Sequence, residues 1–267
     1  MSSPSVRPVA LVTGASVGIG AELARVLAPD HDLILTARRA EQLHALAEEL
    51  KQKHGATCHV FPADLADPAA PRQLCDSISA AGLTVDVLVN NAGFGDLGRF
   101  ADADLGKLLR MIQVNVTALT ELTGLFLPAM LARKRGHILN VGSVAGFQPG
   151  PLMAVYYATK AYVNSFSEAL YSELRKTGVT VSVLCPGPVA TEFAAVAGMQ
   201  QTRAFTVGQM MGARPVAEAG VRAMRAGRRM VVPGLQNRIL IFLQRFAPRS
   251  AVLRVVKWMM RRRRSEQ

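Results

Sequence analysis

Val9-Ala10-Leu11-Val12-Thr13-Gly14-Ala15-Ser16-Val17-Gly18-Ile19-Gly20 is the stretch on which the fold turns. Its first part is a short, continuous apolar run, the composition of a parallel strand buried on both faces. It enters a glycine turn spaced Gly-x-x-x-Gly-x-Gly, and a helical pattern then runs through Leu27. Glycines let the backbone turn tightly and come close to a ligand, and the free N–H groups of a helix N-terminus attract pyrophosphate. Strand, glycine turn and helix is thus the dinucleotide-binding arrangement. The turn alone would be weak evidence; its place after a strand gives it weight.

Outward from this unit the pattern repeats. A second strand over 33–36 ends in Ala37-Arg38-Arg39. An acidic residue here would suit the ribose hydroxyls of NAD, whereas arginine suits the extra phosphate of NADP through paired hydrogen bonds. The alternative for Arg38 is a solvated helix start. A helix over 40–53 and a strand over 57–61 lead to Asp64-Leu65, where the aspartate either caps a helix or touches adenine. After a helix over 68–80, the strand at 85–89 enters Asn90-Asn91-Ala92-Gly93, either a simple turn or a site where a flat cofactor lies close. Consecutive asparagines at a strand end are costly to bury unless bonded. Asn115 sits on an apolar face of a long helical region over 102–133, so its amide needs a partner. Strands at 137–141 and 179–184 deliver Ser143 and Cys185-Pro186-Gly187, and a seventh is predicted at 230–232. Strands alternating with helices predict a Rossmann-type, doubly wound parallel α/β sheet of about seven strands with helices on both faces, followed by a C-terminal helical tail.

Tyr156-Tyr157-Ala158-Thr159-Lys160 carries the chemistry. On a helix, Tyr156 and Lys160 share a face at i, i+4. A cation beside a phenol in a dry site would draw its pKa down from near 10 and make it a usable proton donor. Taken alone, the stretch favours a plain surface helix, because Tyr-x-x-x-Lys is common by chance. Together, Thr13-Gly14-x-x-x-Gly18-x-Gly20, Asn90-Asn91-Ala92-Gly93, Asn115, Ser143, Tyr156-x-x-x-Lys160 and Pro186-Gly187 resemble the short-chain dehydrogenase/reductase family in identity and order, over roughly residues 9–191. The resemblance implies an NADP(H)-dependent oxidoreductase, with NAD(H) the lesser fit, acting on a carbonyl or alcohol. Tyr156 would be the general acid or base and Lys160 would bind the nicotinamide ribose and lower the phenol pKa. Ser143 would hold the carbonyl oxygen, and Asn115 would hold a water linking Lys160 to solvent. Cofactor contacts are implied at Gly14, Ser16, Gly18, Ile19, Gly20, Arg38, Asp64, Leu65, Asn91, Ala92, Gly93, Tyr156, Lys160, Pro186, Gly187, Val189 and Thr191. Gly142 departs from the commoner serine and is expected to leave more room. Tyr157 is assigned to packing or the substrate wall. No metal is expected.

The 267 residues, half hydrophobic with mean hydropathy +0.21, suffice for one large domain over 1–234. Within it, 191–214 is expected to form a substrate lid whose small and methionine-rich residues suit a lipophilic ketone, aldehyde or 3-oxoacyl group. Three cysteines without metal spacing, and a start without an apolar core segment, are expected of a cytoplasmic protein with reduced thiols. By analogy with the family a homo-oligomer, dimer or tetramer, is expected. The net charge is +12, but residues 235–267 hold nine Arg or Lys and one Glu, leaving only +4 for the body. Ser250, Arg254, Lys257, Arg261 and Arg264 would line one face of a helix starting near Pro248, with apolar residues around the wide remainder. Such a tail suits peripheral membrane contact or a hydrophobic partner, with packing on the enzyme's own core the alternative. No nucleic-acid-reading motif is present. An NADP-binding regulatory protein, or a membrane-surface module on the same fold, is the other function class.

Overall fold

The computed structural model describes residues 7–206 and 210–261. Seven parallel strands, β1 (Val9–Thr13), β2 (Asp32–Thr36), β3 (Cys58–Val60), β4 (Val85–Asn90), β5 (Gly136–Val141), β6 (Val179–Leu184) and β7 (Met230–Val231), form one sheet in the order β3-β2-β1-β4-β5-β6-β7. The chain winds outward from β1 to β3, then returns to place β4 on the other side of β1. That reversal opens a crevice at the strands' C-terminal ends, where open α/β sheets bind ligands.

Strand side chains alternate between two buried faces, which is why the strands read as continuous apolar runs. On one face, Val12, Leu35, Val89 and Leu139 pack beneath α1 (Gly18–Leu27), α2 (Ala40–His54) and α9 (Ala213–Arg225). On the other, Leu11, Ile34, Leu88 and Ile138 pack beneath α3 (Ala70–Ala80) and α5 (Leu119–Ala132), with α6 (Ala154–Glu173) on β6. α4 (Leu105–Ile112) joins α5 through a π-helical segment, Gln113–Ala118. The run Leu105–Ala132, of mean hydropathy 1.4, has the length and composition of a membrane span. In the fold one side of it packs on α3, α6 and β4 and carries the buried Asn115, while Leu105 and Leu109 are exposed.

The segment 191–214, expected to act as a lid, holds α7 (Phe193–Val196) and α8 (Arg203–Thr206); its residues 207–209 lie outside the described residues. The tail forms α10 (Leu235–Leu243) and α11 (Arg249–Met260), the second beginning after Pro248 as its sequence predicts. Ser250, Arg254, Lys257 and Arg261 are exposed, and Arg264 lies outside the described residues. The apolar surface of α11 divides: Val256 and Met260 are buried against the lid, while Leu253, Val255 and Trp258 face outward. α10 buries none of its residues.

Candidate active site

The glycine turn is locked to the end of β4. Gly14 has φ +64°, in the left-handed region. A Cβ at Gly20 would collide with the Gly14 carbonyl and the Asn91 amide. Asn91 Nδ2 donates to the carbonyls of Thr13 (2.9 Å) and Gly14 (3.2 Å). Thr13 Oγ1 accepts from the backbone N–H groups of Asn91 and Ala92 and donates to the Val89 carbonyl. The asparagine whose burial demanded a partner is thus the clamp that shapes the turn. Asn90 serves the core instead, donating to Thr123 Oγ1 (3.1 Å) and Asn140 Oδ1 (2.9 Å).

One cavity of about 560 Å³ runs from this turn to the start of α6. Gly14, Ser16, Gly18, Ile19, Gly20, Arg38, Asp64, Leu65, Asn91, Ala92, Gly93, Pro186, Gly187, Val189 and Thr191 all line it. Arg38 is exposed at its rim and forms no ion pair among the described residues. Arg39 is already engaged, donating to Glu192 Oε2 (3.1 Å) and Ser16 Oγ (3.4 Å) across the cleft. Asp64 accepts from the Ala66 N–H at 3.1 Å, capping its own turn rather than helix α3. A glycine-rich cradle at a helix N-terminus, with a guanidinium at its rim that has no ion pair among the described residues, fits a dinucleotide carrying a further phosphate.

At the far end the catalytic candidates converge. Tyr156 and Lys160 stand one turn apart near the start of α6. Lys160 is buried, and its ammonium donates to the Val141 carbonyl at 2.8 Å. Burial lowers its pKa to about 8, with Cys185 partly opposing. Tyr156 moves the other way: burial pushes it up to about 12, against which a hydrogen bond with the Ser143 hydroxyl pulls. The expectation that Lys160 draws the phenol downward is therefore not met by the protein's own residues. The ammonium sits over the ring, 6.0 Å from its centroid, and is directed to Val141.

Asn115 lies in the π segment, a helical irregularity frequent at functional sites. Its Oδ1 accepts from Phe94 N–H (3.1 Å), and its Nδ2 donates to the Phe94 carbonyl (3.0 Å) and Thr159 Oγ1 (3.1 Å). Its side chain thus fixes the loop following Gly93 and the helix carrying Tyr156. Ser143 Oγ accepts from Ala145 N–H at 3.0 Å. Gly142 does not enlarge the site: a Cβ there would collide with Asn164 Oδ1. Asn164 occupies that space and holds the Ser143 carbonyl at 3.0 Å.

The remaining wall is apolar. Phe193 lies with its ring centroid 5.3 Å from that of Tyr156, and Met153, Val196, Met199, Ala204 and Met260 also line the cavity, with Arg110 the charged exception on this wall. Tyr157 packs under Gly150 and also borders the cavity. Met260 is the unexpected member, since nothing in its local sequence links it to the site. Arg203 binds its helix to the lid, donating to the Trp258 carbonyl (3.4 Å) and stacking on the Trp258 ring at 5.1 Å.

Comparison with known proteins agrees with this geometry. The short chain dehydrogenase family profile matches residues 8–202. A very-long-chain 3-oxoacyl-CoA reductase from Anas platyrhynchos is 36% identical over 200 residues, covering 72% of this chain and 63% of that protein, just under two thirds of its length. Sulfoacetaldehyde reductase 2 from Chromohalobacter salexigens is 40% identical over 191 residues, 70% of this chain and 75% of that protein. A solved short-chain dehydrogenase from Sphingobium yanoikuyae, in complex with NADPH, superposes with TM-score 0.80 at 31% identity, covering 97% of this chain and 98% of that one. Another solved relative is in complex with NAD. The chain belongs to the short-chain dehydrogenase family, whose similar members support NAD(P)-dependent oxidoreductase activity.

Proposed function

We propose that the protein is an NADP(H)-dependent oxidoreductase that interconverts a lipophilic ketone, aldehyde or 3-oxoacyl group with its alcohol. The observation that carries this is the convergence of Ser143, Tyr156 and Lys160 at one end of a cavity whose other end is a dinucleotide cradle. A nicotinamide cofactor supplies the hydride when bound. The Ser143 hydroxyl orients the substrate's carbonyl oxygen and stabilises the charge developing on it. Tyr156, fully protonated at neutral pH with a pKa of about 12, gives that oxygen its phenolic proton. Lys160 borders the cradle with a pKa of about 8, so its ammonium is mostly charged at neutral pH. Asn115 ties the Tyr156 helix to the loop after Gly93.

Arg38, exposed and without an ion pair among the described residues, supports NADP(H) over NAD(H). The apolar wall of Met153, Phe193, Met199 and Met260 supports a lipophilic substrate. Exposed Leu105 and Leu109 on α4, together with Tyr162 on α6, support self-association through these helices in a cytoplasmic protein, with membrane association added through the tail. A purely regulatory nucleotide-binding role would leave the Ser143–Tyr156–Lys160 constellation without a use. NADPH consumption against aliphatic, aromatic and steroidal ketones tests the proposal, with NADH as the second arm. Turnover that survives Tyr156→Phe at the parent rate would overturn it.

A further inference from the structure

The tail's outward face is used neither by the core nor by the active site. Six Arg or Lys and no Asp or Glu occur over 235–261. α10 and the turn after it expose Leu235, Ile239, Leu240, Phe242, Leu243 and Phe246, with Leu235 at 68% and Phe246 at 74%. Phe242 and Phe246 pack edge to face, centroids 5.3 Å apart, at the surface. Leu253, Val255 and Trp258 extend the apolar surface along α11. Beside α10, a hollow of about 480 Å³ is walled by Arg228, Arg229, Arg238 and Arg245 over Val232 and Ile241. Arg229 is paired with Glu168 at 3.1 Å. Arg228, Arg238 and Arg245 have no ion pair among the described residues.

We propose that α10 and α11 form a docking face for an anionic phospholipid bilayer, with headgroup phosphates entering the Arg228–Arg238–Arg245 hollow. An apolar helical surface edged by arginine, with a tryptophan on it, is the composition of an interfacial helix. Guanidinium groups bind phosphate oxygens through paired hydrogen bonds. Charge selects this occupant over a second copy of the chain, because a two-fold contact through this face would set arginine against arginine. It is also preferred to nucleic acid, which would meet the arginines but leave the phenylalanines in water. The docking does not depend on which carbonyl compound the enzyme reduces.

The test uses the full chain and sedimentation with vesicles of phosphatidylglycerol and phosphatidylcholine, against phosphatidylcholine alone, at low and high salt. Binding is expected to the anionic vesicles and to weaken with salt. Arg238→Gln and Arg245→Gln should each reduce the partition constant roughly fivefold. Phe242→Ser with Phe246→Ser should abolish it, with NADPH binding unchanged in every variant because these side chains lie outside the cradle. Protein remaining in the supernatant with anionic vesicles at low salt overturns the proposal. So does undiminished binding by the phenylalanine double variant, which would reduce the effect to charge adsorption. An oligomer that the same variant dissociates would assign the face to a second copy, and retention on nucleic acid that vesicles fail to displace would assign it there; either result overturns bilayer docking.

Discussion

Lys160 carries a stability cost that can be read as a pH dependence. Its ammonium is buried and donates a hydrogen bond to the Val141 carbonyl. A folded pKa of about 8 against the ordinary 10.5 corresponds to roughly 3 kcal/mol. The sign follows from proton counts. Between about pH 8 and pH 10.5 the unfolded lysine holds a proton that the folded one has begun to release, so stability rises with pH across that window. Below about pH 8 the full cost is present. Lys160→Met removes the titration. It also leaves the Val141 carbonyl unpaired, a loss of ~1–3 kcal/mol that does not vary with pH and so shifts the offset without altering the slope. Urea unfolding of both proteins, freed of nucleotide, should show the parent gaining roughly 2–3 kcal/mol relative to the variant between about pH 7 and about pH 10. Tyr156 and Tyr157 are retained in both proteins and largely cancel in the difference. Parallel stability profiles would refute the idea that Lys160 is held against its own charge.

Tyr156→Phe should lower carbonyl reduction by ~10²-fold or more while nucleotide affinity, read by fluorescence titration, stays at the parent value. Alcohol oxidation by the parent should keep accelerating as pH rises toward about 12, where the Tyr156 phenol ionises; a rate that is flat above neutral pH would contradict its role as base. Arg38→Ala should weaken NADPH by roughly tenfold to a hundredfold, from the ~1.5–3 kcal/mol of a charge-assisted hydrogen bond, and leave NADH nearly unchanged; equal losses would remove the phosphate assignment. Gly142→Ala forces a methyl onto Asn164 Oδ1 and should lower stability by ~1–3 kcal/mol in urea unfolding. An unaltered midpoint would show that Asn164 yields freely.

What was legible in the sequence was what is local or repeats. Strands such as Leu33 to Thr36 are buried on both faces, so their apolar runs are unbroken, and each cradle residue follows a strand end in order. The use of Asn91 could be narrowed because an amide at a strand end must be bonded, but its partners, the carbonyls of Thr13 and Gly14, lie far away in sequence. Gly142 shows the limit: a missing side chain does not say what fills its place, and Asn164, on another element, does. The direction of the Tyr156 pKa was missed for a similar reason. Spacing puts Lys160 on the same helix face, but the direction of its ammonium depends on where β5 ends and presents the Val141 carbonyl.

The tail could not be resolved by periodicity, because α11 is apolar around most of its circumference. An amphipathic pattern reveals that a face is buried, not against what. The structure divides that surface by contact. Val256 and Met260, four residues apart, turn to the lid and the substrate cavity, whereas Val255 and Trp258 turn away. Arg203 joins the two sides, its guanidinium over the Trp258 ring on a helix whose last residue lines the site. The outer face and the cavity wall thus share one helix, α11. Arg203→Ala, which removes the ring stack and the side-chain bond between α8 and α11 while leaving the backbone bond from Arg203 N–H to the Arg261 carbonyl, should raise KM for bulky ketones more than for small ones and speed tryptic cleavage in the tail. Identical KM ratios and cleavage rates would show that the wall keeps its place without the arginine.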